Sequence, residues 1–245
     1  MYPILTNQSN FRDIGGIQTS DGRKIKPGIL FRSGDLHSLS DEDIQILENL
    51  NIRMIVDLRA RREIDRHPDR VIKSVKSVVH IDIFDGARDR SERFLMENNA
   101  KGLETVLEVD YRRMVVHHAP DFQKFLHLLA TTGHLPLIYH CAAGKDRTGL
   151  ATIFLLAALG VEMADIRDDY MKTNRLTSSF NDKIIQKVTE SGQNGIILRP
   201  LLEVRKEYLD AALDEIDIQY GGIHLYVKNI LQADISLLRQ KFLVP

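Results

Sequence analysis

The stretch Leu135–Leu150, LPLIYHCAAGKDRTGL, constrains this chain more than any other. A short apolar run, Leu135–Tyr139, leads into His140 and Cys141, the only cysteine in the sequence. Small residues follow (Ala142, Ala143, Gly144), then Lys145, Asp146, Arg147, Thr148 and Gly149, and then the apolar segment Leu150–Leu159. The pattern predicts a buried strand, a tight loop and the head of a buried helix.

That order of elements has a definite physical use. Backbone N–H groups in a tight loop converge as an anion nest, and the first turn of the helix behind it leaves N–H groups without intrahelical partners. The helix dipole adds positive potential at the same point. A cysteine at the start of such a loop is expected to shift toward thiolate. Arg147, six residues on, can return its planar guanidinium to the mouth of the loop and clamp two oxygens of an oxyanion. A thiolate below a phosphorus atom, with donors around the oxygens, suits phosphoryl transfer through a covalent phosphocysteine. An inert core cysteine is the plainer reading of a lone cysteine. It leaves Gly144–Thr148, set before a buried helix, with no purpose.

Cys141-x5-Arg147 followed by Thr148, inside HCAAGKDRTG, resembles the signature loop of the cysteine-dependent protein tyrosine phosphatase superfamily. The form with Lys145 and Asp146 is similar to the bacterial tyrosine/serine phosphatase family that also acts on phosphoinositides. NFRDIGG (10–16), LFRSG (30–34), and DLR at Asp57–Arg59 with Glu63 and Pro68 after it resemble the same family. So do LLEVRKEYLDAALDEI and YGGIHLYVKNIL near the C-terminus, and the likeness is weakest at 87–102. The resemblance implies an α/β fold: a central, mostly parallel sheet flanked by helices, with the loop at its carboxyl edge. It also implies extra C-terminal helices. The expectation is one phosphatase domain over 1–245, with 161–245 as a helical part that could lie over the site as a lid.

On this reading Cys141 is the nucleophile and Arg147 clamps the equatorial oxygens. The backbone of Ala142, Ala143, Gly144, Lys145, Asp146 and Arg147 holds the rest. Thr148 can donate to the thiolate, and His140 orients the cysteine. The leaving group needs a proton, for which a carboxylic acid is the usual donor. Asp146 comes first, being in the loop. Asp57 is second, from the resemblance and its place at a strand end beside Arg59, where open α/β sheets bind ligands. Asp82 and Asp85 are more distant choices. Lys145 either meets a second phosphate of a substrate or faces solvent. No metal or other cofactor is called for, since the loop and Arg147 supply the positive charge.

A net charge of −1 argues against nucleic acid as a partner. The densest basic run, Arg59–Arg70, is interleaved with Glu63, Asp65 and Asp69 and reads as a solvated connection. One cysteine cannot form an intrachain disulfide. Met1–Asn10 lacks the basic and apolar regions of a signal peptide, and no apolar run is long enough to span a bilayer. These point to a soluble, cytoplasmic enzyme of unknown oligomeric state, with export by another route open; the resemblance implies a phosphorylated protein or a phosphoinositide as its partner. His117, His118, His127, His134 and His140 do not form a spaced metal-ligand set.

Elsewhere, short strands with tight turns are expected around 10–34, where Arg12 and Asp13 could pair and pin this arm near the site. A capping box at Ser40 opens a helix to about Leu50, ended by Asn51. Strands follow at Ile52–Leu58 and Val78–Ile83, then a mobile flap or loop at 87–102. Helices are expected at Leu103–His117, Pro120–Thr131, Met163–Thr173, Ser178–Ser191 and Pro200–Tyr220, with an all-helical tail at His224–Leu231 and Ile235–Leu243. Two other classes fit a cysteine in a short anion loop. One is a sulfur- or oxyanion-handling enzyme of rhodanese or arsenate-reductase type. The other is a catalytically silent phosphate-binding module.

Overall fold

The computed structural model describes residues 5, 10–83 and 87–245, with side chains from 91 onward after the second gap. Short strands β1 (Arg12–Asp13), β2 (Lys24–Ile25) and β3 (Leu30–Ser33) come first, followed by helix α1 (Asp41–Asn49). Ser40 Oγ accepts the Asp43 N–H, and the Asp43 carboxylate accepts the Ser40 N–H, both at 3.1 Å. This is the reciprocal cap expected from the sequence. Asn51 closes the helix in the left-handed region, at φ 54°.

Strand β4 (Met54–Asp57), helix α2 (Arg61–Arg66) and strand β5 (Ser77–His80) follow, then helices α3 (Ala87–Met96), α4 (Ala100–His117) and α5 (Ala119–Thr131). The expected flap at 87–102 is thus mostly helix. Its weak apolar pattern hid a helical hairpin that closes at Gly102: a Cβ there would stand 2.1 Å from the Phe94 ring. Asn99 caps the second helix by accepting the Gly102 N–H at 2.8 Å.

Strand β6 (Leu137–His140) and helix α6 (Arg147–Leu159) frame the signature loop. The sheet runs β1-β3-β6-β4-β5, with β1 antiparallel at one edge and the other four strands parallel. Its central strands are buried on both faces, which is why they read as continuous apolar runs. Met54, Val56, Leu137 and Tyr139 enter one core with α4, α5 and α6; Ile55, Ile138 and Phe31 enter the other with Leu47 and Ile72. Register aligns Ser33, His140, Asp57 and His80 across four strands. Cys141 lies one residue past that line.

Helix α7 (Met163–Glu190) is a single helix where two were expected. Its buried stripe at Asp169, Thr173, Thr177, Asn181 and Ile185 keeps a four-residue spacing but is mostly polar, so apolar periodicity fades along it. The expected helix Pro200–Tyr220 is instead α8 (Arg199–Leu202) and α9 (Lys206–Tyr220). The Asn174 side chain binds both the N–H and the carbonyl of Val204, each at 2.8 Å, in place of helical bonds at the break. Then come α10 (Ile223–Leu225), a π turn at Tyr226–Ile230, and α11 (Ile235–Phe242). The tail is not all helical: β7 (Leu243–Val244) pairs antiparallel with β2. Among the described residues no helix is long and apolar enough to cross a membrane.

Candidate active site

β6 delivers Cys141 to the carboxyl edge of the sheet, buried at the base of the loop. The loop turns back through Gly144 at φ 67°, a conformation favouring glycine. A Cβ at this position would stand 2.3 Å from the Ser33 carbonyl oxygen, so the close approach of β3 also requires glycine. Helix α6 begins at Arg147, one turn before the apolar run, and every residue in it is buried. Gly160, left-handed, ends it.

Arg147 is buried, and its Nη1 and Nη2 donate to the two Glu63 carboxylate oxygens at 2.5 and 2.9 Å. Burial alone would raise the Glu63 carboxyl; the Arg147 hydrogen bonds overcome it and hold the group below the usual carboxylate range. Arg59–Arg70 is therefore only partly a solvated connection. Arg61, Asp65 and Arg66 are exposed, but Arg59 is buried and Glu63 reaches into the site.

Asp57 and Arg59 form a buried ion pair beside His140. Arg59 Nη2 donates to Asp57 Oδ2 at 2.7 Å and to Asp69 Oδ1 at 2.8 Å. Desolvation opposes the Asp57 charge, yet the Arg59 hydrogen bonds and nearby His140 bring its carboxyl below the usual range. The buried His140 ring sets Nε2 3.0 Å from Asp69 Oδ2 and Nδ1 3.3 Å from the Cys141 carbonyl oxygen. Asp57, Asp69 and His140 place three ligand atoms within 4.8 Å of one another. The Arg59 guanidinium already serves both carboxylates, so this donor set suits a hydrogen-bonded brace better than a cation cage.

Asp146 occupies the N-cap position of α6 without capping it. Its Oδ1 accepts the Tyr111 hydroxyl at 2.7 Å, and Lys145 Nζ sits 2.9 and 2.7 Å from Oδ1 and Oδ2. Lys145 is buried, which removes the solvent-facing alternative. Thr148 Oγ1 is buried with no hydrogen-bond partner among the described residues. Asp82 lies near the N–H of Arg61, its carboxylate oxygen 3.4 Å away. Asp85, the remaining acid choice, lies outside the described residues.

The N-terminal arm supports the other side of the loop. Asn10 Nδ2 donates to the Ala143 carbonyl at 2.9 Å, and Arg32 Nη2 to that of Gly144 at 2.8 Å. Arg12 does pin the arm, but its anchor is Asp169 on α7, at 3.1 Å, which also takes Arg32 Nη1 at 3.0 Å. Asp13 instead accepts the N–H groups of Gly15 and Gly28. Burial, then the neighbouring Arg32 charge, lowers Arg12 to about 10, so it stays charged at neutral pH.

A mostly parallel sheet flanked by helices, whose carboxyl edge carries a cysteine, a tight loop and a carboxylate-held arginine at the head of a buried helix, has the architecture of an α/β enzyme with its candidate site at that edge. The sequence profile described as the tyrosine phosphatase family matches residues 4–244, and the chain belongs to that family. A Cupriavidus necator protein bearing a provisional tyrosine-protein phosphatase name is 32% identical over 96% of this chain and 86% of its own length. The triple specificity protein phosphatase PtpB of Mycobacterium tuberculosis is 30% identical over 94% of this chain and 95% of its own. A tyrosine-protein phosphatase of Nostoc commune is 28% identical over 81% and 68%. The chain is accordingly a hydrolase of the phosphatase superfamily acting on phosphomonoesters.

Proposed function

We propose that the chain hydrolyses phosphotyrosine, and phosphoserine or phosphothreonine where they reach, through a phosphocysteine on Cys141. The observation that carries this is the placement of buried Cys141 and Arg147 at the two ends of one anion loop, with Arg147 locked on Glu63. Cys141 Sγ attacks phosphorus and the ester P–O bond breaks. Asp146 gives its proton to the leaving oxygen and becomes a carboxylate. In the second step water attacks phosphorus, its proton returns to Asp146, the P–S bond breaks, and phosphate leaves. Arg147 and the loop N–H groups hold the equatorial oxygens throughout. The Thr148 hydroxyl, without another acceptor, donates to the departing thiolate. For Oδ2 of Asp146 to carry a proton, the Lys145 ammonium passes from it to the bound phosphate. Asp57 and Arg59 act behind the loop, since a carboxyl held below its usual range by Arg59 is a poor proton donor.

A second reading, a phosphoinositide phosphatase with the same mechanism, draws on Lys145. A buried cation beside Arg147 adds charge that suits a substrate with more than one phosphate. The test is phosphate release from phosphotyrosine peptide, phosphoserine peptide and soluble phosphoinositides, with Cys141→Ser as the blank. Release abolished by that substitution, and a phosphocysteine trapped by a denaturing alkaline quench, support the mechanism. Release retained by Cys141→Ser overturns it. No release from any substrate by the unsubstituted chain would return the silent binding module.

A further inference from the structure

Two fully buried tyrosines lead to the carboxylate assigned above as the proton donor. The Tyr111 hydroxyl on α4 donates to Asp146 Oδ1 at 2.7 Å, and the Tyr170 hydroxyl on α7 lies 2.9 Å from that of Tyr111. The Arg205 carbonyl, 3.4 Å from the Tyr170 hydroxyl, is a second, more distant acceptor for the Tyr170 proton. Each phenol has one proton. With that of Tyr111 committed to Asp146, the 2.9 Å contact between the phenols is made by the Tyr170 proton, which it shares with the Arg205 carbonyl at 3.4 Å. Neither phenol ionises near neutral pH: burial first, and the Asp146 charge second, push both well above the ordinary tyrosine value. Among the described residues, Lys145 on the loop and Tyr208 on α9, whose ring lies 5.8 Å from that of Tyr111, also face this cluster.

We propose that Tyr111, backed by Tyr170, is a positioning residue for proton transfer: it keeps Asp146 Oδ1 an acceptor, so the transferable proton resides on Oδ2. This rests on Asp146 being the acid of the proposed reaction. As the Oδ2–H bond breaks, the proton goes to the leaving oxygen and the electron pair stays on the carboxylate. The Tyr111 hydrogen bond strengthens against that charge, and the Tyr170 bond behind it polarises the pair further. Neither tyrosine gives up its proton.

The experiment compares pH–rate profiles of Asp146→Asn, Tyr111→Phe and Tyr170→Phe on phenyl phosphate and 2,4-dinitrophenyl phosphate. Asp146→Asn should remove the alkaline limb of kcat/KM on phenyl phosphate. Losing the Tyr111 donor destabilises the carboxylate, so Tyr111→Phe should move that limb upward. It should also slow phenyl phosphate roughly tenfold. The dinitrophenyl ester, whose leaving group needs no proton, should slow much less. Tyr170→Phe should act in the same direction with a smaller effect, and it decides by the same readouts if Tyr111→Phe does not fold. An unmoved limb with equal losses on both esters would mean that the tyrosines only pack, overturning the proposal. An alkaline limb that survives in Asp146→Asn would overturn the Asp146 assignment, and the proposal with it.

Discussion

At Glu63 a single carboxylate decides where Arg147, the proposed clamp, points. Arg147 leads the helix, but a guanidinium on a flexible stem gains catalytic value only when its fork is fixed, and Glu63 fixes two of its nitrogens. Glu63→Gln keeps the shape and loses the charge; kcat/KM should fall roughly tenfold or more while the fold persists, checked by steady-state kinetics with circular dichroism. The same carboxylate has a signature in acid. Glu63, Asp57 and Asp169 all sit below the usual carboxylate range, because their arginine partners outweigh the burial that opposes their charge. Their folded pKa values lie below the unfolded ones, so the unfolded chain binds more protons as pH falls. The stability they contribute is complete above the unfolded values, about 4, and is lost as pH drops through the folded values. The urea midpoint should hold from pH 7 to about 5 and then decline, less steeply in Glu63→Gln. An equal decline in both proteins would remove Glu63 from this account.

At the scale of elements, α7 ties the arm to the loop. Asp169 accepts from Arg12 on β1 and from Arg32 on β3, and Arg32 continues to the Gly144 carbonyl. All three side chains are largely buried, so removing the anion strands two arginines. Asp169→Asn should cost about 3 kcal/mol, read from urea unfolding, and should weaken phosphate binding through the loosened loop. A loss under ~1 kcal/mol would show that water replaces the carboxylate without strain. This tie also marks where sequence reading stops. β4, β6, α5 and α6 are legible because their burial is apolar and their period regular; Cys141, Lys145, Asp146 and Arg147 stand out as candidates because they are contiguous. Asp169 and Tyr170 do not stand out in the sequence, because an aspartate and a tyrosine on an amphipathic helix look like ordinary face residues. Tyr111 read as one more residue of a helix. Nothing local announces a partner such as Asp146, 35 positions away. Glu63 had a local signal in the charged run after Asp57, and it was outweighed by how solvated such runs usually are.

At the scale of the whole molecule, the last residues close the fold around the two segments that feed the site. Phe242 and Leu243 are buried, and the Phe242 carbonyl accepts the Lys26 N–H at 2.8 Å. Lys241 Nζ donates to the carbonyls of Leu129, Ala130 and Thr132 at the end of α5. Cations are favoured at such an end, where carbonyls lack intrahelical partners. One face of this tail therefore steadies the approach to β3, and the other steadies the approach to β6 and Cys141. Deleting 241–245 exposes the sites of two large apolar side chains, an expected loss of about 3 to 5 kcal/mol by denaturant unfolding. Arg239 remains to hold Asp21 at 2.6 Å, so the loss should be local at first. Hydrogen exchange should quicken at the Lys26 amide, while amides of β4 and β6 exchange only through global opening. Turnover per folded molecule should stay near that of the full chain well below the melting temperature, because the hydrogen bonds described above join the tail to Lys26 and the end of α5 rather than to the loop. If kcat instead falls with the fold intact, the tail is transmitting order through α5 into Cys141 itself. Exchange rates along 133–140 would then rise in the truncated protein along with those of Lys26.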